Sequence, residues 1–124
     1  EILIGDNCAI EQNVHINSMG SRLVIADNVT IAANTFITNL DHEYRDVTKS
    51  VMDQGHILNT TTIGEGCFLG YGVSILAGTI LGKHCVVGTG TVLKGQYPDY
   101  SVIVGVPGKV IKQYDTETNE WRKC

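Results

Sequence analysis

The sequence predicts an all-β solenoid, a parallel helix of short strands wound in three-sided coils, and three observations carry that prediction. The first is composition: Gly fills 14 of 124 positions and Pro only 2, while Ile, Val and Thr make up 31% of the chain. That mixture favours strand and turn over helix. The second is a six-residue period. Hexads open on Ile4, Ile10, Ile16, Ile25, Ile31, Ile37, Ile57, Ile63, Leu69, Ile75, Leu81, Val87 and Leu93, every one aliphatic. Because Ile, Leu and Val are 34 of the 124 residues, chance would give such a series on the order of once in 10⁷. The third is the placement of turn formers at fixed offsets, at Asp6-Asn7, Asp27-Asn28, Glu65-Gly66 and Gly82-Lys83, where a bend needs residues tolerant of left-handed backbone.

Each element follows from the period. Alternate side chains of a strand share a face, so a four-residue strand and a two-residue bend point position one inward. Position five then closes the corner, and it is small or β-branched, as in Cys8, Val29, Thr61, Cys67, Val73 and Cys85. Three sides make an 18-residue coil. Ile57, Ile75 and Leu93 are therefore expected to stack in one internal ladder at about 4.8 Å per step, with Ile63 over Leu81 and Leu69 over Val87 in the others. Coils cover one another, which lets a short chain bury a continuous core. The whole reads as one domain over 1–124. The solenoid covers 2–108, and a short C-terminal tail, 109–124, is expected to cap one end with Tyr114 and Trp121.

Breaks in register carry the functional information. Ile16 and Ile25 are nine residues apart, which reads as a small corner insertion. Ile37 and Ile57 are twenty apart, which leaves a 14-residue loop over 43–56, EYRDVTKSVMDQGH. Long loops on rigid scaffolds are either tolerated insertions or the walls of a site. His42 is the last residue before this one.

Charge and cysteine usage exclude several classes. With 13 acidic and 9 basic side chains and a net charge of -4, the chain lacks the footprint of a binder of nucleic acid or anionic bilayers. Apolar runs such as Val102 to Val106 fall far short of the roughly 20 residues that span a membrane. The sequence opens on Glu1 without Met or a charged-then-apolar leader, which points to a trimmed start rather than a secretory one. Four cysteines show neither zinc spacing nor disulfide density, and predict reduced thiols and a cytoplasmic address.

One column suggests chemistry. Tyr71 and Thr89 differ by 18 and are flanked by Gly70, Gly72, Gly88 and Gly90. Backbone N-H groups one coil apart are thereby exposed, through turn chemistry or for a ligand with amides of its own. The four histidines, His15, His42, His56 and His84, are scattered over the hexads, and no metal site is expected from them.

The hexads, the loop after TNLDH, the run VGTGTVLKGQYPDYSVIVGVPGKVIKQYD and the tail TETNEW together resemble the hexapeptide-repeat acyltransferases. The branch most similar holds galactoside and maltose acetyltransferases with capsule and lipopolysaccharide sugar O-acetyltransferases. The resemblance implies a left-handed parallel β-helix, against the usual crossover rule, and a homotrimer with active sites between subunits. It implies an acetyl-CoA-dependent transfer of acetyl to a sugar or glycan hydroxyl, with His42 as catalytic general base. An imidazole suits that task, since its ordinary titration lies near neutrality.

By the same resemblance Tyr71, Gly88 and Thr89 hold the pantetheine arm of coenzyme A. Lys94, Lys109 and Lys112 lie near its phosphates, and Pro107 touches adenine. Asn13 matches an acceptor-binding position, and Asn39 and Asp41 are candidate substrate contacts beside His42. Rival readings are an antibiotic acetyltransferase of the same fold, a serine acetyltransferase, a three-His zinc enzyme of the carbonic anhydrase kind, and a non-catalytic trimeric scaffold. The last leaves His42, its loop and the basic GVPGKVIK segment unexplained.

Overall fold

The computed structural model describes residues 1–124. Its body is a three-sided parallel β-helix whose sides are strands of two to four residues. The first face stacks β1 (Ile2–Ile4), β4 (Leu23–Ile25), β9 (Thr61–Ile63), β12 (Ile80–Leu81) and β15 (Gln96–Tyr97). The second stacks β2 (Ala9–Ile10), β5 (Thr30–Ile31), β10 (Phe68–Leu69), β13 (Val86–Val87) and β16 (Ser101–Val104). On the third lie β3 (His15–Asn17), β6 (Phe36–Thr38), β11 (Ser74–Ile75) and β14 (Val92–Leu93).

Position one faces the axis on every side. Ile25, Ile63 and Leu81 stack in register on the first face, Ile31, Leu69, Val87 and Ile103 on the second, and Ile37, Ile75 and Leu93 on the third. In these coils position one is at most 1% exposed. Ile4 and Ile10, in the first coil, are 45% and 42% exposed because a neighbour covers them from one side only. Position five completes the core. Buried Thr35, Thr61 and Thr79 each donate a hydroxyl to a main-chain carbonyl, at 3.2, 2.8 and 2.6 Å, which removes the cost of burying them. Cys67 and Cys85 share the same inner column. Cys85 beside it, together with burial, pushes the Cys67 thiol above its ordinary range, so it stays protonated.

The corners explain the turn residues. Between the first and second faces the N-H of Asn28 donates to Asp6 C=O, Gly66 to Asp27, His84 to Glu65 and Tyr100 to Lys83, at 2.7–3.0 Å. Asn7, Asn28, His84 and Tyr100 take φ of 58, 60, 49 and 57° there. The left-handed residue of the fourth coil's bend is thus His84, one place beyond the expected Gly82-Lys83. Gly82 has a different reason: a Cβ there would lie 2.5 Å from the Asp99 peptide nitrogen, so the two backbones pass in contact.

Three expectations need correction. Ile57 does not open a side of a coil. It lies in β8 (His56–Leu58), antiparallel to β7 (Leu40–His42) and opposite Asp41, and Ile37 holds the place assigned to it under Ile75. Ile37 and Ile63 therefore open successive sides 26 residues apart where six suffice, so the excursion has 20 extra residues rather than 14. The false hexad arose because Ile57 happens to lie six residues before Ile63 and eighteen before Ile75 although it belongs to a hairpin. The last coil is short as well: Tyr97 stacks on Leu81 and Ile103 on Val87 after 16 residues, not 18.

Finally, the tail caps the column by different residues from those expected. β17 (Lys109–Asp115) and β18 (Glu120–Lys123) extend the second face as antiparallel strands. Val110 packs against the core, and a Cβ on Gly108 would sit 2.8 Å from a Leu93 methyl. The rings of Tyr114 and Trp121, 5.3 Å apart, run on beyond the column.

Candidate active site

The structure sorts the candidate residues onto two edges of the third face. The edge shared with the second face carries Asn13, Tyr71 and Thr89. A run of corner bonds fixes this order, with Asn34 N-H donating to Gln12 C=O, Gly72 to Ala33 and Gly90 to Tyr71 at 2.9–3.1 Å. The side-chain amide of Asn34 also donates to the Tyr71 hydroxyl. Above Thr89, the turn holding Pro107 closes the same edge, since Val92 N-H donates to Gly105 C=O and Gly108 N-H to Val92 C=O.

Tyr71 and Thr89 lie in turns outside the strand ladders, and their peptide N-H groups make no hydrogen bond within the chain. Both side chains are exposed. Two free donors on adjacent coils are what an extended ligand with spaced amide carbonyls needs. Gly88 differs: its N-H already donates to Ile103 C=O at 2.9 Å, so it offers room rather than a hydrogen bond.

Lys109 and Lys112 would point to opposite sides of a regular strand, being three residues apart. A bulge at Ile111 changes this. Val104 pairs with Lys109 and Val102 with Lys112, with the register shift between Val102 and Ile103. Both lysines therefore stand over residues on the outer side of the second face. Val104 also covers Gly88, 2.9 Å from where a Cβ would be, so Lys109 lies at the Thr89 corner.

The other edge, where the third face turns to the first, carries the 20-residue excursion. Its stem is the β7–β8 hairpin, with His42 paired to His56. Both imidazoles are exposed, their centroids 5.0 Å apart and their planes tilted by 51°, and neither ring makes a hydrogen bond or ion pair. Below the stem Asn39 is fully buried. Its Nδ2 donates to Ser18 and Ser21 hydroxyls at 2.9 and 3.3 Å, and its Oδ1 accepts from Met19 N-H at 2.9 Å. Asn39 is thus a positioning residue that ties the hairpin to the 17–22 corner, not a substrate contact as expected.

Lys94 also falls on this edge. Its Nζ lies 3.5 Å from Asp41 Oδ2, across the width of the third face from the corner that holds Thr89 and Lys109. Hexad phase accounts for this: Lys94 follows Leu93 on the third face, whereas Thr89 follows Val87 on the second. His56 had no expected role. The signal for it was available, since the two ends of a long insertion often pair as a hairpin stem and bring their flanking residues together.

No three His, Cys, Asp or Glu side chains gather as a metal-ligand set. His15 packs edge-on against Phe36 at 5.4 Å, and His84 stacks on Tyr100 at 5.9 Å. No helix is long and apolar enough to cross a membrane.

Similarity to known proteins agrees with this architecture. The family described as bacterial transferase hexapeptide (six repeats) matches residues 60–95. A Mycobacterium tuberculosis protein named as a probable acetyltransferase is 38% identical over 108 residues, covering 87% of this chain and 36% of its own length. An Escherichia coli protein whose name assigns it lipopolysaccharide biosynthesis O-acetyl transfer is 36% identical over 130 residues, covering 99% of this chain and 66% of its own. The chain thus spans between about a third and two thirds of these relatives. Among solved structures, a hexapeptide-repeat acetyltransferase of Vibrio cholerae complexed with acetyl coenzyme A superposes with a TM-score of 0.82 at 24% identity, over 92% of this chain and 61% of that one. That likeness is one of fold. With its hexads in register, its excursion at the third corner and these relatives, the chain belongs to the hexapeptide-repeat acetyltransferase family, whose parallel β-helix is left-handed.

Proposed function

We propose that the chain is an acetyl-CoA-dependent O-acetyltransferase for a hydroxyl of a sugar or glycan, working as a homotrimer. One observation carries the reading. Unbonded peptide N-H groups on adjacent coils and Lys109 share one edge of the third face, with Lys112 on the adjoining second face, while an unbonded imidazole stands on the other edge. Within one chain these halves are separated by the width of that face. Side-by-side packing of subunits would bring the His42 edge of one against the Tyr71 and Thr89 corner of the next.

When bound, acetyl-CoA would supply acetyl activated as a thioester. The chain's part is to hold and to move a proton. Tyr71 and Thr89 would donate their N-H groups to the amide carbonyls of the arm, and Lys109 and Lys112 would face its phosphates. Pro107 would supply an apolar surface to adenine. His42 would take the proton of the acceptor hydroxyl at a ring nitrogen, a role worth about 10² to 10⁴ in rate. Asp41 and Asn13 would meet the acceptor, and Asn39 holds the hairpin that carries His42.

The test is thiol release from acetyl-CoA across sugars, nucleotide sugars, amino sugars and antibiotics, with sedimentation to count subunits. Turnover with a sugar hydroxyl by a trimer is the expected result. Turnover confined to an antibiotic would overturn the acceptor class, and no thiol release with any acceptor would overturn the reaction.

A further inference from the structure

We infer that His42 and His56 form a two-histidine site for a divalent transition metal ion of the zinc class, and that occupancy of this site shuts off His42 as a base. The second half of this inference rests on the function proposed above; the first does not. The residues face each other across an antiparallel pair, the arrangement in which side chains on one side of a hairpin come closest. Their centroids are 5.0 Å apart. Two imidazoles bound to one Zn²⁺ at about 2.0–2.1 Å per nitrogen, with a near-tetrahedral angle, have centroids roughly 5 Å apart.

The surroundings suit the same ligand. No protein group occupies any of the four ring nitrogens, so each is open to a ligand from solvent. Both rings are exposed, so water can complete the coordination. Asp41 is directed elsewhere, to Lys94, and Glu43 accepts from the N-H groups of Tyr44 and Arg45. The site is therefore built of imidazole alone. Imidazole selects zinc, copper or nickel over magnesium or calcium, which prefer oxygen. With two protein ligands in place of the usual three or four, binding is expected in the micromolar range.

Bound metal occupies the lone pair with which His42 would accept a proton, so metal binding and general-base action exclude each other. The experiment is calorimetric titration of the metal-free full chain with zinc chloride in a non-chelating buffer, repeated with magnesium chloride. The expected result is one zinc per chain, no magnesium, and affinity lowered at least about tenfold in His56→Ala and in the conservative His56→Gln. His84→Ala should bind as the unaltered chain does. The second readout is the ratio of each protein's rate with zinc to its own rate without it, expected to fall in the unaltered chain and to stay near one in His56→Gln. Absence of zinc binding, or binding that survives both His56 substitutions, overturns the site. Binding as expected with an unchanged rate ratio overturns only its coupling to His42. Absence of acetyl transfer under every condition would count against the proposed function and leave the calorimetric result standing.

Discussion

Residues 61–93 and the neighbouring stretch 39–60, which holds the excursion, are held in place by different forces. In the coils the stabilising contacts are apolar and repeated: Ile63, Leu69, Ile75, Leu81, Val87 and Leu93 are buried in one cluster, and the corner carbonyls of Glu65 and Tyr71 each receive an N-H from one coil above. In the excursion they are polar and local. Gln54 donates to Asp46 and Lys49 carbonyls at 2.8 and 3.1 Å and accepts from Asp46 N-H at 2.9 Å, while residues 44–53 are all exposed. The difference teaches a division of labour. The coils fix where an edge lies; the excursion, lacking a core of its own, presents His42 at that edge without burying it.

The largest effect should come from the excursion's own chemistry. His42→Ala is expected to lower kcat by about 10² to 10⁴ with little change in coenzyme A affinity and none in thermal stability, as read by steady-state kinetics beside a melting curve. An unaltered kcat would remove His42 from the reaction.

Stability should show the opposite pattern. Ile75→Ala, in the column, is expected to cost about 2–5 kcal/mol, and Ile57→Ala, in the hairpin, under about 1 kcal/mol. Denaturant titration of both distinguishes a coil side from a hairpin strand; equal losses would restore Ile57 to the column.

Asn39→Ala tests the joint between the two regions. Removing the amide leaves Met19 N-H and two serine hydroxyls without their partner, at about 1–3 kcal/mol, and should lower kcat by loosening the hairpin. Loss of stability with unchanged kinetics would show that the 17–22 corner does not position His42.

Smaller effects belong to the surface charges. Lys109→Ala and Lys112→Ala should each raise the KM for acetyl-CoA about three- to tenfold at low salt, less at high salt, with kcat preserved. The smallest effect is a titration. The Thr48 hydroxyl and N-H hold the Asp46 carboxyl below its ordinary 3.8. Its contribution to loop order is therefore complete above the ordinary value and lost as pH falls through the lowered one. The Thr48 amide resonance should shift with a midpoint below 3.8; a midpoint at or above it would deny the bond.

What could be read from the residues, and what could not, follows the same boundary. Aliphatic spacing defined the coils because position one is satisfied by any large apolar side chain and by nothing else. It misassigned Ile57 because the spacing to Ile63 and Ile75 fits the coil by coincidence, while pairing to Asp41 in the hairpin is what places it. The stacking of Tyr71 under Thr89 was legible from register, while the roles proposed for them and for His42 come from resemblance. Charge alone does not say which face Lys94 follows, although its hexad phase does. His56 and the bulge at Ile111 depend on pairing across strands, which no single-strand pattern contains.

The in-register step from Ile63 to Leu81 has one more consequence. A coil touches only its neighbours, so excising or duplicating one such 18-residue unit would slide the GVPG turn and its lysines along the axis by about 4.8 Å while the tether at Asn39 stayed where it is. The prism is in effect a staircase, and the number of treads sets the distance from its lower landing to its upper one independently of what either landing binds.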